Sequence, residues 1–248
     1  MAPIKSSLAR TVGKLLGVQK DTDLSLRGDV QSIRKIAFSA SGGNLANGLE
    51  PGNGYKYHTF GTPGNFVVSG NPGTVDILIV AGGGAGGNNR GGGGGAGGIV
   101  HHSQLSLNVG TYPVVVGDGA AQPGTGGELG ADGTDSYFGA AGSTRLTAKG
   151  GGGGGDNSES PNASPGGSGG GANYAGNPGP ASQGSQNSPY SGATGFNQYG
   201  NNGGDGSSGP KYNNGGGGGA GAAGGDGTTG SGSDAAGDGG AGQPFGNF

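Results

Sequence analysis

Seventy-one of the 248 residues are glycine, about four times the usual share, and that excess decides what this chain can fold into. Runs such as 150–155, 169–171 and 215–219 are glycine throughout. They carry no side chains to bury, so no ordinary core can be built from them. Hydrophobic residues make up 29% and charged residues 11% of the chain, against norms of about 45–50% and 25%. An enzyme with a single large apolar core needs more Leu, Ile, Val and Phe than this. Cysteine is absent, which excludes disulfides, zinc–thiolate clusters and thiol catalysis. No apolar run reaches the roughly 18 residues of a membrane span, so no membrane insertion is expected. The low charge argues against ordinary disorder, whose diluents are charged and polar residues. Some ordered arrangement of glycine is therefore required.

The apolar residues concentrate between residues 55 and 150. Tyr55, Tyr57 and Phe60 precede the turn Thr62-Pro63-Gly64, and Phe66-Val67-Val68 is closed by Asn71-Pro72-Gly73. Val75-Asp76-Ile77-Leu78-Ile79-Val80-Ala81 is the strongest strand signal. Ile99-Val100, Leu105-Ser106-Leu107, Tyr112-Pro113-Val114-Val115-Val116, Tyr137-Phe138 and Leu146-Thr147-Ala148 continue the pattern. Short strands at this spacing predict a β-sandwich-like domain over residues 55–150, within a chain that is mostly β and irregular.

Catalytic and cofactor signals are weak. Gly82-Gly83-Gly84-Ala85-Gly86-Gly87 satisfies the dinucleotide pattern after a strand. Asn88-Asn89-Arg90 and five more glycines follow, and these cannot supply the helix N-terminus that holds a pyrophosphate. His101 and His102 are adjacent, so a strand would point them to opposite faces, which is poor geometry for one metal. Asp132-Gly133-Thr134-Asp135 has the flavour of a calcium turn but not its spacing. No catalytic residues, metal or cofactor are expected.

Residues 151–248 alternate glycine runs with polar loops. Collagen is excluded because no Gly-X-Y period is sustained. Glycine without a Cβ favours an extended three-fold helix whose N–H and C=O groups can bond laterally, so a polyglycine-II helix bundle is expected. The loops carry Tyr190, Phe196, Tyr199 and Tyr212 among Ser, Asn and Gly. That is the chemistry of adaptable binding surfaces, and these four are the candidate receptor-binding residues.

Residues 1–40 read as a short helical anchoring arm, with 41–54 as a linker. Ser6 and Ser7 can cap a helix, and Leu8, Val12, Leu15 and Leu16 form one stripe. Arg10 and Lys14 lie off it. Residues 1–35 hold seven basic and three acidic residues, the remainder five and twelve. A basic arm on an acidic body suits docking to an acidic protein surface, with Leu8, Arg10, Val12, Lys14, Leu15 and Leu16 as the anchoring set. It lacks the clustered Arg and interleaved aromatics of a nucleic-acid binder. Arg10 and Lys14 interrupt what would be the apolar core of an export signal, so none is expected.

The blocks VDILIVAGGGAGG, GGGGGAGGIV, GTYPVVVGDGA, DSYFG and LTAKGGGGGG, in that order over about residues 57–155, resemble a glycine-rich domain of bacteriophage structural proteins, common in marine phages and in tail fibres. The glycine runs also resemble those of polyglycine adhesins at fibre tips. The resemblance implies a virion protein, assembled in the host cytoplasm and held to other virion proteins by its arm. Its implied task is binding a host surface glycan or protein, as a tail-fibre or adhesin module for which a homotrimer would be suitable. A head-decoration or cement protein and a bacterial surface glycine-rich protein are the alternatives.

Overall fold

Strands form where β-branched and aromatic residues run between turns. In the computed structural model these are β1 (Ser39–Ser41), β2 (Ala46–Leu49), β3 (Tyr57–Thr59), β4 (Gly64–Ser69), β5 (Gly73–Val80), β6 (Ile99–Leu107), β7 (Gly110–Val115), β8 (Ser136–Phe138), β9 (Leu146–Ala148) and β10 (Phe196–Tyr199). The structure describes residues 37–124, 127–141, 145–157, 162–176, 178–179, 194–208, 212–229 and 235–245. Met1–Phe38 is one unit and Ser39–Phe248 another, and these strands all belong to the second.

Every strand pairing is antiparallel. One sheet runs β1-β4-β7-β8-β9, a second β10-β6-β5, and a third is the β2-β3 hairpin. The first two share one core. Phe66 and Val68 of β4, Phe138 of β8, and Leu146 and Ala148 of β9 cluster with Ile79 of β5 and Val100, Leu105 and Leu107 of β6. Alternation along β6 would push Leu105 outward if it continued unbroken from Val100. A bulge prevents this. Ser103 and Gln104 together face Asp76, Gln104 has φ 54°, and its N–H donates to the Asp76 carboxylate at 2.7 Å. The extra residue resets the alternation, so Val100, Leu105 and Leu107 all stay inside.

The glycine runs are threaded between these strands. Residues 81–87 leave β5, turn at 88–90, and return as 91–98 into β6, with Gly84 donating to Gly95 and Gly87 to Gly92. Residues 150–155 leave β9 and lie against them. Gly151 and Gly154 donate to Gly82 and Ala85, Gly152 and Gly155 donate to Ser168 and Gly171, and Gly150 and Gly153 donate to the carboxylates of Asp135 and Asp132. Every third residue returns to the same neighbour. Further segments at 164–172, 200–206, 213–219, 222–228 and 235–242 extend this stack.

Close approach, not backbone freedom, is what demands glycine here. The described glycines at 82–98, 150–155, 166–171 and 200–242 all avoid positive φ. Yet a Cβ on Gly153 would fall on the Gly130 carbonyl, one on Gly200 on Gly167, and one on Gly206 on Asn173, each inside the 3.0 Å that real Cβ atoms respect. The missing Cβ points at a carbonyl oxygen, the direction in which Cα–H···O contacts form. The segments thus satisfy their peptide groups against one another at a separation that no side chain permits.

This corrects the expected fold class. The described residues are all-β, with antiparallel sheets and no helix. There is no β-sandwich-like domain followed by a separate polyglycine-II helix bundle. The glycine segments are instead interleaved with the strands within one unit: 81–98 joins β5 to β6, 150–155 follows β9 and 200–206 follows β10, and their neighbours in space come from distant runs. The short N-terminal helical arm, with Leu8, Arg10, Val12, Lys14, Leu15 and Leu16, falls in residues 1–36, outside the described residues.

Candidate functional site

The stack has an end remote from the strands, and asparagine closes it. Asn88 donates its amide to the Gly124 carbonyl, Asn173 to Asp156 and Asn213 to Thr228. The Asn173 side-chain oxygen accepts from Ala175 N–H at 2.8 Å, and that of Asn214 accepts from Tyr174 N–H at 3.0 Å. An amide side chain offers the same donor and acceptor as a peptide. It can stand in for the next segment where a run stops.

Three side chains meet on this end. The rings of Tyr174 and Tyr212 lie 4.5 Å apart at 60°. The Arg90 guanidinium lies over the Tyr212 ring, 4.8 Å from its centre. Each comes from a different turn: Asn88–Arg90, Tyr174–Ala175, and the approach to the Ser207–Asn213 bridge. Tyr212 and Arg90 are exposed and Tyr174 is half-buried.

The backbone beneath them is strained. Among the described residues, four that are not glycine have positive φ: Asn89, Arg90, Gln104 and Tyr212. Gln104 is accounted for by the bulge in β6. Asparagine tolerates the left-handed region, but arginine and tyrosine seldom enter it. Such residues cost about 1–3 kcal/mol each and concentrate at binding sites. Here Arg90 at 64° and Tyr212 at 52° are the two that touch. An exposed tyrosine ring presents an apolar face with a polar tip, and arginine offers a planar fork for carboxylate or phosphate.

Of the receptor-binding candidates among the described residues, Tyr212 alone lies in this cluster. Phe196 and Tyr199 sit on β10, which pairs with β6 through Phe196↔His102 and Tyr199↔Ile99. Phe196 packs on His102, and Tyr199 on Phe245, which also faces His101. Tyr190 lies outside the described residues. Arg90 and Tyr174 were not singled out by sequence. The available signal was an Asn-flanked Arg or Tyr at the stop of a glycine run, Asn88-Asn89-Arg90 and Asn173-Tyr174.

Other candidate sites resolve into structure. Asp132 and Asp135 accept from Gly153 and Gly150, and Asp135 also pairs with Lys149 at 2.7 Å. Their carboxylates terminate the stack. His102 is buried against Phe196 while His101 faces Phe245. Among the described residues no group of three or more His, Asp or Glu could hold a metal, and no helix is long and apolar enough to cross a membrane.

Strands bound to an interleaved glycine stack define a glycine-rich β domain. A family model described as a glycine-rich domain matches residues 58–248, and the chain belongs to that family. A search of curated proteins returned no match.

Proposed function

We propose that the chain is a bacteriophage virion protein, a tail-fibre or adhesin module held to other virion proteins through residues 1–40. In this reading the Asn-rich end of the glycine stack meets a host-surface glycan or protein. The observation that carries it is the convergence of Arg90 and Tyr212, both in the left-handed region, with Tyr174 on one exposed surface. Nothing in the packing of the stack calls for an arginine over a tyrosine there. A sugar ring can lie on the aromatic edge while neighbouring amides bond its hydroxyls, as in other Tyr- and Asn-rich paratopes.

The test is adsorption of particles carrying Tyr212→Ala or Arg90→Ala to host cells. The expected result is a drop of at least tenfold in the adsorption rate with the melting temperature of the isolated protein unchanged. Wild-type adsorption by both variants sinks the reading. A second reading, a head-decoration or cement protein, is favoured by the exposed apolar side chains Leu45, Leu49 and Tyr55 in and beside the β2-β3 hairpin, which would suit a protein lattice. Copy number per particle separates the two: hundreds for decoration, a few to a few dozen for a fibre.

A further inference from the structure

The last glycine segment, residues 235–242, has three unlike faces. Gly237 and Gly240 point inward, where a Cβ would strike the Gly225 and Ala222 carbonyls. Ala235, Asp238 and Ala241 accept hydrogen bonds from neighbouring segments through their carbonyls. The third face, Ala236, Gly239 and Gly242, neither donates nor accepts a hydrogen bond among the described residues. Nothing lies within 4 Å of where a Cβ on Gly239 or Gly242 would sit, and neither has positive φ. Both usual reasons for glycine, close approach and left-handed backbone, are therefore missing at 239 and 242 among the described residues.

That face borders a groove of about 470 Å³ whose lining includes Gly94, Gly217 and Gly239. Gly94 likewise makes no main-chain hydrogen bond, and the Gly217 N–H has no acceptor, among the described residues. The groove thus has the form of a stack with one segment missing: open space, peptide groups left over at every third residue, and walls made of glycine. An edge of unpaired N–H and C=O groups is a template for another extended chain. Its occupant must itself carry nothing larger than glycine or alanine where it touches.

We propose that the groove takes the 236–242 segment of a second copy of this chain, antiparallel across a two-fold axis. The segment suits its own groove because it presents a donor and an acceptor at each of the same three positions, and a two-fold axis sets donors against acceptors reciprocally. Each copy then supplies the segment that the other lacks.

The test is sedimentation equilibrium of the purified full chain beside the double variant Gly239→Val/Gly242→Val. Valine fits the open space of a single copy, so the double variant should fold and melt as wild type does. It should bar the close approach of a second backbone and weaken dimerisation at least tenfold. Because the chain has no cysteine, Asp238→Cys with a short bis-maleimide gives an independent readout, and a cross-linked dimer is expected. A wild-type chain that is monomeric at every concentration overturns the proposal. So does a dimer unaffected by the two valines, a monomer-only cross-link, or association that occurs only with an added glycine-rich peptide.

Discussion

The strands and the glycine stack exclude water by opposite means. Between the two large sheets, Phe66, Val100, Phe138 and Leu146 fill space with hydrocarbon, and burial of apolar area supplies the driving force. In the stack the peptide groups themselves fill space, and Gly152, Gly154 and Gly171 are buried with no side chain to bury. A side-chain core tolerates change by repacking, since neighbouring rotamers can shift. The stack has no rotamers to shift. What an added atom meets there is main chain, so its tolerance is set by geometry alone. Ordering glycine also costs more backbone entropy than ordering any other residue, and many modest hydrogen bonds must offset that cost together.

Substitutions can break this contrast, starting with the most damaging. Gly153→Val sets two methyl groups and a Cβ against the Gly130 carbonyl. Because the obstacle is main chain, the expected loss is about 4 kcal/mol or more, read from the urea midpoint. Leu146→Ala empties a fully buried site between the sheets and should cost about 3 kcal/mol. If both variants lost the same small amount, the two regions would not differ as described. Asp132→Ala removes the acceptor for the Gly153 N–H. Leaving that donor unpaired should cost about 1–3 kcal/mol, whereas Asp132→Asn keeps an oxygen in place and should lose less than half as much. Gly239→Ala, where nothing lies opposite, should raise the stability of a single copy by up to about 1 kcal/mol through the unfolded chain, measured by dilute thermal unfolding. Destabilisation by that alanine would mean that the outer face is already filled within one chain.

Legibility in the sequence followed the same divide. The apolar runs that became β4 to β9 were visible because β-branched and aromatic residues mark strands locally. β10 was not, since Phe196-Asn197-Gln198-Tyr199 reads as a polar loop and becomes a strand only by pairing with residues 99–102, far back in the chain. β1 and β2 fell in what composition marks as an arm and a linker, for the same reason. The glycine runs announced that they needed lateral partners but not which ones, because identical residues carry no register. Register comes from the strands that launch 81–87, 150–155 and 200–206, and from the side chains of Asp132, Asp135, Asn173 and Asn213 that bond main chain along the stack. The Arg90–Tyr174–Tyr212 cluster was out of reach of local reading because its three members come from three turns that only the stack aligns.

The measurement that bears most directly on peptide packing as the structural principle is native-state hydrogen exchange of the full chain, resolved to the glycine segments. The N–H groups of Gly151, Gly152, Gly154 and Gly155, all bonded to neighbouring segments, should be protected as strongly as those of β5 and β6, with Gly239 exchanging freely in dilute solution. Exchange of residues 150–155 at the rate of an unstructured chain, beside protected strands, would contradict it and reduce the glycine runs to linkers hung on an ordinary β core.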